Sequence, residues 1–348
     1  GDHRDLHSFP TRRSSDLTEK YCQLGCSRSG IDKPIEIGQI QRFVTDFEAS
    51  LDMKVWEFGK SNNKLVSIIG SGPSGLTAAI ELKKLGYDVN IYEKDNKPGG
   101  YLRYGIPEYR LPSSVLDKEI KRITDAGVKI ITNTNVDEEL FKKLKKESEA
   151  LILSTGYSKG KVIDLFKDNK KAILAVDFLH KVKDKKGKIN CPDNVVIIGG
   201  GDVAMDVAVT LKKLGVRNVT DVVYEEFSEF RASKKELELA QKENVTILDG
   251  YVPVESKRGN IVVFKHRFID SMLKIKADLV ILATGQVYDD KFSDVKFDNN
   301  EAISQNYHVK DNIFVAGDIA KGEKTVVYAV RKGKEVAAYV NSFLGGNK

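Results

Sequence analysis

The feature that most constrains this chain is a glycine turn that occurs twice, each time between a hydrophobic strand and a helix. The first copy lies in VSIIGSGPSGLTAA (residues 66–79) and the second in VVIIGGGDVAMDVA (residues 195–208). A strand, then G-x-G-x-x-G or G-x-G-x-x-A, then a helix is typical of a dinucleotide-binding βαβ unit. The repetition predicts two such units in one chain.

The first copy carries each residue that this chemistry requires. Gly70 permits the tight turn, Gly72 lets the backbone approach a pyrophosphate, and Gly75 lets the helix pack closely on the sheet. The helix N-terminus offers N–H groups and partial positive charge to the phosphates. Glu93 ends the next strand, where a carboxylate can accept hydrogen bonds from ribose hydroxyls. The alternative is that the glycines serve packing alone.

The second copy reads Gly199-x-Gly201-x-x-Ala204, and the fingerprint tolerates the alanine. The following strand ends in Glu225 and Glu226. Carboxylates there favour a free ribose 2′-hydroxyl, because two like charges about 5 Å apart repel by roughly 3 kcal/mol at an effective dielectric constant near 20. After screening, this leaves about tenfold discrimination against a 2′-phosphate, which predicts NADH over NADPH.

The alternative at the second copy is that both glutamates point to solvent. In that case Arg231, Lys234 or Lys235 would hold a 2′-phosphate. Both interpretations stay open at this point.

The rest of the chain alternates strands with helices, which predicts an α/β fold with two parallel sheets, each covered by helices. Between residues 246 and 276 short strands with a turn at 258–260 predict an antiparallel meander. Two further buried strands, ALILSTG (150–156) and ADLVILATGQ (277–286), end in glycine turns. A helix over about residues 325–343 closes the chain.

Composition excludes several classes of protein. The chain has 348 residues, of which 41% are hydrophobic and 30% charged, with a formal net charge of +6. No apolar run approaches the ~18 residues of a membrane span. The basic runs lack interleaved aromatic residues, so nucleic-acid binding is not expected, and three cysteines without a disulfide framework predict a reducing, cytoplasmic location.

The first seventeen residues, GDHRDLHSFPTRRSSDL, match one translated frame of a common sequencing-library adapter. We interpret residues 1–17 as foreign and exclude them from fold reasoning. The expectation is that the natural sequence begins near Thr18 and has lost its original N-terminus.

The run PGGYLRYGIPEYRLP (residues 98–112) is similar to the flavin-contacting segment of the glutamate synthase small-subunit family. That family includes the N-terminal part of dihydropyrimidine dehydrogenase and the flavin subunits of ferredoxin:NAD(P) oxidoreductases, and the resemblance extends from Tyr21 to the C-terminus. It implies FAD at the first glycine turn and NAD(P)H at the second. Electrons would then leave through iron–sulfur clusters to a catalytic large subunit or a ferredoxin-type acceptor.

The resemblance implies a set of contact residues. Candidate flavin contacts are Gly70, Ser71, Gly72, Gly75, Glu93, Gly100, Leu102, Arg103, Tyr104, Gly105, Ile106, Gly317, Asp318, Thr325 and Val326. Candidate nicotinamide-cofactor contacts are Gly199, Gly201, Asp202, Val203, Ala204, Glu225 and Glu226. Thr155, Thr284 and Gly285 lie in turns that resemble the crossovers between the two domains. No catalytic acid or base is expected, because hydride transfer depends chiefly on positioning.

The resemblance also implies a domain order. After residues 1–17, residues 18–60 would be the remnant of a helical iron–sulfur domain. Residues 61–160 and 286–348 would form a discontinuous FAD domain, and residues 161–285 an inserted NAD(P)H domain.

Cys22 and Cys26 form a C-x₃-C pair, which by spacing alone is a weak metal signal. The resemblance implies that both ligate [4Fe–4S] clusters in the intact protein, with cysteines from further upstream. A C-x-x-C redox pair near either fingerprint, as in a flavin disulfide reductase, does not occur.

Three features depart from the family pattern. Asp202 stands where Asn is usual, Val209 where Arg is usual, and Glu225 with Glu226 where basic residues are usual. These departures argue against NADPH and for weaker nicotinamide binding. The alternatives are the flavin subunit of a ferredoxin:NAD(P) oxidoreductase or of a pyrimidine dehydrogenase, a flavin monooxygenase, and a non-catalytic redox-sensing flavoprotein.

Overall fold

The computed structural model describes residues 23, 25–51, 53, 56–157, 159–257, 260–289 and 292–345. The chain divides into two compact units. Unit 1 holds the described residues up to Leu102, Ser113–Tyr157 and those from 292 onward, and unit 2 holds Arg103–Pro112 and 159–289. The predictions for residues 1–17, Cys22 and the turn at 258–259 lie outside the described residues.

The helices and strands of the described ranges follow the chain in this order. The helices are α1 (Ile37–Ser50), α2 (Pro73–Lys84), α3 (Tyr101–Tyr104), α4 (Ser113–Asp125), α5 (Glu138–Glu147), α6 (Ala175–Asp184), α7 (Asp202–Lys213), α8 (Lys234–Lys242) and α9 (Val326–Phe343). The strands are β1 (Leu65–Ile69), β2 (Asp88–Tyr92), β3 (Lys129–Ile131), β4 (Ala150–Leu153), β5 (Lys159–Gly160), β6 (Ala172–Leu174), β7 (Asn194–Ile198), β8 (Asn218–Val222), β9 (Thr246–Leu248), β10 (Tyr251–Lys257), β11 (Ile261–His266), β12 (Met272–Lys276), β13 (Leu279–Leu282), β14 (Gln286–Val287), β15 (Phe297–Asp298), β16 (Glu301–Ala302), β17 (His308–Lys310) and β18 (Ile313–Val315).

Unit 1 is built on a six-stranded sheet in the order β17-β18-β4-β1-β2-β3. All pairs are parallel except β17 with β18. Strand β1 carries the first glycine turn and lies between β2 and β4. The chain continues from β1 to β2 and β3 on one side of the sheet, and β4 then pairs with the other side of β1. The carboxyl ends of such neighbouring strands form the crevice in which open α/β sheets bind ligands.

Unit 2 repeats the arrangement with a five-stranded parallel sheet in the order β6-β13-β7-β8-β9. Strand β7 carries the second glycine turn and lies between β8 and β13. A separate antiparallel sheet, β10-β11-β12, forms from the residues that the sequence predicted as a meander. The predicted α/β class with two Rossmann-like units is confirmed.

Burial explains why these segments form strands. The last four residues of β1 and of β7 are buried, as are all four residues of β4, and they are mainly Val, Ile and Leu. Near-continuous apolar runs of this kind are typical of parallel strands covered on both faces. Helix α2 begins at Pro73, whose missing N–H is tolerated in a first helical turn. No helix in the described ranges is both long enough and apolar enough to cross a bilayer.

One core position breaks this apolar pattern. Asp221 lies in β8 between Ile197 of β7 and Ile247 of β9, and it is fully buried. Within the described part of the chain, neither of its carboxylate oxygens has a hydrogen-bond partner. Burial therefore raises the pKa of Asp221 well above its usual range.

Replacing Asp221 with valine is expected to stabilise the protein by about 1–3 kcal/mol at neutral pH, the desolvation penalty of an unpaired buried polar group. Because the folded-state pKa is raised, the wild-type protein loses stability as pH increases above the unfolded pKa of about 3.9. The advantage of the variant should thus be larger at pH 8 than at pH 5 in urea unfolding. Asp270→Val, at an exposed loop position, is the matched control. Equal stability of wild type and Asp221→Val at pH 8 would contradict the prediction.

Candidate functional site

The first glycine turn is packed so closely that two of its glycines cannot be replaced. A Cβ built on Gly70 would lie 2.6 Å from the carbonyl oxygen of Ser154, and its φ of +101° is disfavoured for other residues. A Cβ on Gly75 would lie 2.1 Å from the carbonyl oxygen of Gly70. The hydroxyl of Ser154 donates to that same oxygen at 3.0 Å. The residue that follows β4, Ser154, therefore packs against the turn after β1 and stabilises it.

Gly72 is different, because its surroundings are open. A Cβ built there would meet no heavy atom of the described structure within 4 Å. Packing therefore does not explain this glycine, whereas a ligand approaching the backbone does. Nearby, Thr155 follows β4, and its hydroxyl oxygen is buried without a hydrogen-bond partner among the described residues. An open backbone beside an orphaned polar group fits a bound pyrophosphate-containing cofactor.

Glu93 is held rigidly at the end of β2. It is 4% exposed; its Oε2 accepts from the Ser71 N–H at 3.0 Å and from the Ser71 hydroxyl, and its Oε1 accepts from the Asp95 N–H at 2.9 Å. A carboxylate has about four acceptor positions, so these bonds leave capacity for ribose hydroxyls. The structure thus joins Ser71 and Glu93, two of the candidate flavin contacts, by direct hydrogen bonds.

The loop after Glu93 returns to the glycine turn. The Gly99 N–H donates to the carbonyl oxygen and to the hydroxyl of Ser71, both at 3.1 Å, and a Cβ on Gly100 would lie 2.9 Å from the Cα of Gly72. The predicted contacts further along are buried and belong to different units. Leu102 is in unit 1, whereas Arg103, Tyr104, Gly105 and Ile106 are in unit 2.

The C-terminal turn lies against the same helix. A Cβ on Gly317, which has a φ of +74°, would lie 3.2 Å from the Cβ of Ser74 in the first turn of α2. Asp318 follows, and burial raises the pKa of its carboxyl group. Thr325 caps α9 by accepting from the Tyr328 N–H at 3.4 Å, so α9 begins at Val326 as predicted. The structure therefore brings Gly317 next to the first glycine turn.

The second glycine turn has the same design. A Cβ on Gly199 would lie 2.4 Å from the carbonyl oxygen of Ala283, at the end of β13, whereas one on Gly201 would meet no described atom within 4 Å. Ala204 is completely buried in the fingerprint helix. The tight glycine and the open glycine occupy equivalent positions in both copies, which is the arrangement that a backbone-bound phosphate requires.

Asp202, which departs from the family pattern, has a structural partner. Its Oδ1 accepts from the Ser233 N–H at 2.6 Å, and the Ala232 N–H donates to the Gly200 carbonyl oxygen at 3.0 Å. The carboxylate thus fastens the loop before α8 to the start of α7. Val203 follows it and is half-buried.

The two glutamates after β8 have different environments. The Oε2 atom of Glu225 lies 3.1 Å from the position that a Cβ on Gly200 would occupy. The Oε1 atom of Glu225 forms an ion pair with Arg231 Nε at 3.2 Å. Glu226 is exposed. Only Glu225 therefore lies beside the glycine turn, and Arg231, the alternative phosphate ligand, is paired with it.

Sequence reasoning missed Arg267, which comes from the hairpin between β11 and β12. Its guanidinium lies 3.7 Å from the ring centroid of Tyr224 and donates to the Tyr224 carbonyl oxygen at 2.9 Å. This places a cation–aromatic pair directly before Glu225. The residues are forty-three positions apart and no local motif connects them.

The remaining candidates have structural partners or lie partly outside the described residues. Thr284 donates its hydroxyl to the Lys161 carbonyl oxygen at 2.7 Å, and the Lys161 N–H donates to the Gly285 carbonyl oxygen at 2.9 Å. Cys26 is described whereas Cys22 is not. The Ile35 N–H donates to Cys26 Sγ at 3.4 Å, which lowers the pKa of the thiol. The described residues contain no cluster of three or more His, Cys, Asp or Glu placed to hold a metal ion.

Two glycine turns, each at the switch point of a parallel sheet and each with an acidic residue within three positions of the end of the next strand, define a two-dinucleotide oxidoreductase fold. Residues 64–333 match the pyridine nucleotide-disulphide oxidoreductase family, and the chain belongs to that family. It is an FAD-dependent NAD(P)H oxidoreductase of the electron-input type, as the resemblance to the glutamate synthase small-subunit family implied.

Its relatives include subunits of larger enzymes. The chain is 48% identical over 332 residues to the NAD-dependent dihydropyrimidine dehydrogenase subunit PreT of Escherichia coli, covering 94% of this chain and 80% of PreT. It is 28% identical over 378 residues to the glutamate synthase [NADPH] small chain of Azospirillum brasilense, covering 94% of this chain and 76% of that protein. In fold it is similar to FprA of Mycobacterium tuberculosis in complex with NADPH, with a TM-score of 0.67 at 16% identity over 82% of this chain and 85% of FprA.

Proposed function

We propose that this chain accepts hydride from NADH at the second glycine turn into an FAD held at the first, and supplies the electrons to a partner subunit. The observation that carries the proposal is the pair of glycines, Gly72 and Gly201, whose missing side chains leave open space beside otherwise tightly packed turns. A fold that needed glycine only for packing would fill that space.

The residues of unit 1 would hold the flavin. Gly72 and the first turn of α2 face the expected pyrophosphate position, Glu93 has acceptor capacity for the ribose, and Gly317 with Asp318 supplies the turn before α9. When bound, FAD would take up hydride and release single electrons, a conversion that amino-acid side chains cannot perform. The chain itself would position and shield the reactants, and no acid or base residue is assigned.

We propose the same domains, with the same cofactors, as the sequence analysis did. Residues 61–160 and 286–348 would bind FAD and residues 161–285 would bind NADH, and residues 18–60 would belong to an iron–sulfur domain. The grouping of Arg103–Pro112 with unit 2 adds one element to the NADH-binding side. Arg103, Tyr104, Gly105 and Ile106 stay among the proposed flavin contacts.

The preference for NADH rests on Glu225. Its carboxylate lies next to the glycine turn, where the adenosine ribose of a nicotinamide cofactor is expected, and it occupies the one guanidinium, Arg231, that lies within pairing distance of it in the described structure. A 2′-phosphate would meet a negative charge and would have to displace this ion pair. Support comes also from PreT, whose name describes an NAD-dependent enzyme.

We predict that NADH reduces the bound flavin at least about tenfold more efficiently than NADPH, the ratio expected from screened like-charge repulsion. Glu225→Gln should bring the two efficiencies within a few-fold, because it removes the repulsion and frees Arg231. The measurement is anaerobic stopped-flow bleaching of the flavin at several concentrations of each cofactor.

Glu229→Gln is the matched control, since Glu229 is an exposed glutamate of the same loop. It should keep the wild-type ratio. A wild-type preference for NADPH, or an unchanged ratio in Glu225→Gln, would overturn the assignment of Glu225.

The partner is proposed from the relatives. The higher identity to PreT favours a catalytic subunit that reduces a pyrimidine over one that synthesises glutamate. Cys26 is half-buried, and the hydrogen bond from the Ile35 N–H lowers the pKa of its thiol, which favours the thiolate form that ligates metals. We propose that Cys22 and Cys26 are ligands of a [4Fe–4S] cluster on the path from flavin to partner.

A further inference from the structure

A buried lysine contacts the turn assigned to the flavin. Lys332, in α9, is 3% exposed, although lysine is among the residues least often buried. Its ammonium group donates to three backbone carbonyl oxygens of one segment: those of Gly317 at 3.1 Å, Ala320 at 2.9 Å and Glu323 at 3.1 Å. All three donors of the ammonium group are therefore used.

The geometry ties this clamp to the first glycine turn. Gly333, the next residue of α9, packs so closely on α2 that a Cβ there would lie 2.5 Å from the Ser74 carbonyl oxygen. Gly317, one of the clamped residues, approaches the Ser74 side chain. Lys332 thus sits where α9, the start of α2 and the 317–323 segment meet.

Lys332 also carries its positive charge in a buried environment, where little water screens that charge from its neighbours. Asp318, Glu301, Glu335 and Lys324 are the charged groups that act on it, and Lys324 shares the Ala320 carbonyl oxygen and pairs with Glu301 at 2.6 Å. Burial, with Lys324 adding to the effect, lowers the pKa of Lys332 to about 8. The amine is therefore mainly protonated at neutral pH and loses its proton within an accessible range.

We propose that Lys332 is a positioning residue for the flavin: it fixes the Gly317–Glu323 segment by its three hydrogen bonds to carbonyl oxygens and places a buried positive charge against that segment. The inference rests on the proposed function, since it assigns FAD to this site. A positive charge there favours the negative charge that the flavin gains on reduction, so it raises the reduction potential as well as the affinity for FAD.

The test compares Lys332→Met, which removes the charge but keeps an unbranched side chain one atom shorter, with Lys332→Arg, which keeps the charge. Lys321→Met is the control, because Lys321 is an exposed lysine of the clamped segment. The expected result for Lys332→Met is about tenfold weaker FAD binding to apoprotein and about a tenfold change in the two-electron reduction equilibrium, which equals about 30 mV. Lys332→Arg should recover part of both, and Lys321→Met should match wild type.

The pH profile separates charge from packing. The potential difference between wild type and Lys332→Met should be present at pH 7 and decrease as pH rises above about 8, because wild-type Lys332 then loses its charge. Unchanged FAD affinity and potential in a folded Lys332→Met would overturn the proposal while leaving the function of the chain intact. If that variant does not fold, the wild type decides. A plot of its flavin reduction potential against pH that shows no change of slope near pH 8 would overturn the proposal. Wild-type apoprotein that binds no FAD would instead refute the proposed function.

Discussion

Replacing Arg110 with methionine is expected to destabilise unit 2 by about 3–5 kcal/mol, the usual loss when one partner of a buried ion pair is removed. Arg110 places Nη1 2.7 Å from Asp206 Oδ2 and Nη2 3.3 Å from Glu236 Oε1, and both carboxylates are only 6% exposed. The Tyr109 hydroxyl donates to Asp206 Oδ1 at 3.2 Å. One guanidinium thus neutralises two buried acids on α7 and α8.

The size of this loss should depend on pH. Burial raises the pKa of Asp206 to about 7, against the opposing influence of Arg110. Because the folded-state pKa lies above the unfolded value near 3.9, the carboxyl group costs stability increasingly as pH rises from about 4 to above 7. Without Arg110 that cost should grow, so the variant should be closest to wild type at about pH 5 and furthest from it at pH 8.

Urea unfolding followed by circular dichroism measures both effects. Adding Asp206→Asn to Arg110→Met should recover part of the loss, since one buried charge is then removed. Arg217→Met, at an exposed position after α7, should change stability by no more than about 0.5 kcal/mol. A loss below 1 kcal/mol in Arg110→Met at pH 8 would show that the cluster does not hold α7 and α8 in place.

The second large effect concerns the open glycines. Gly72→Ala should weaken FAD binding by about 10- to 100-fold, because a methyl group between backbone and pyrophosphate overpacks the site by about 1–3 kcal/mol. Its apoprotein should unfold like wild type, since a Cβ there meets no described atom within 4 Å. Gly201→Ala should keep FAD and lose affinity for NADH to a similar degree.

Gly75→Ala provides the contrast. A Cβ there would overlap the Gly70 carbonyl oxygen at 2.1 Å, so this variant should lose apoprotein stability as well as FAD. Calorimetry of apoprotein and fluorescence titration with FAD distinguish the two classes. Equal FAD affinity in wild type and Gly72→Ala would place the pyrophosphate elsewhere.

The fold could be predicted from sequence because its signals are local. Each glycine turn lies within a dozen residues of its strand and helix, and the acid that serves it lies within three residues of the end of the next strand in the chain. The apolar runs of β1, β4 and β7 are short and bounded by glycine, which is typical of buried parallel strands. The α/β class with two Rossmann-like units could therefore be predicted without knowledge of the strand order.

The missed features depend on contacts between distant residues. The partners of Arg110 are ninety-six and more positions away, Arg267 reaches Tyr224 from another sheet, and Lys332 binds carbonyl groups that any residue would supply. Sequence treated Glu225 and Glu226 as equivalent, and only the fold shows which one lies beside the turn. The partner of Asp202 likewise comes from a loop thirty-one residues later.

The central claim is that a nicotinamide cofactor reduces a flavin held by this chain. Anaerobic titration of the FAD-loaded protein with NADH tests it most directly, by the visible absorbance of the flavin. The prediction is complete bleaching with one NADH consumed per flavin, and recovery of the colour when an electron acceptor is added. A flavin that remains oxidised in excess NADH and in excess NADPH would contradict it.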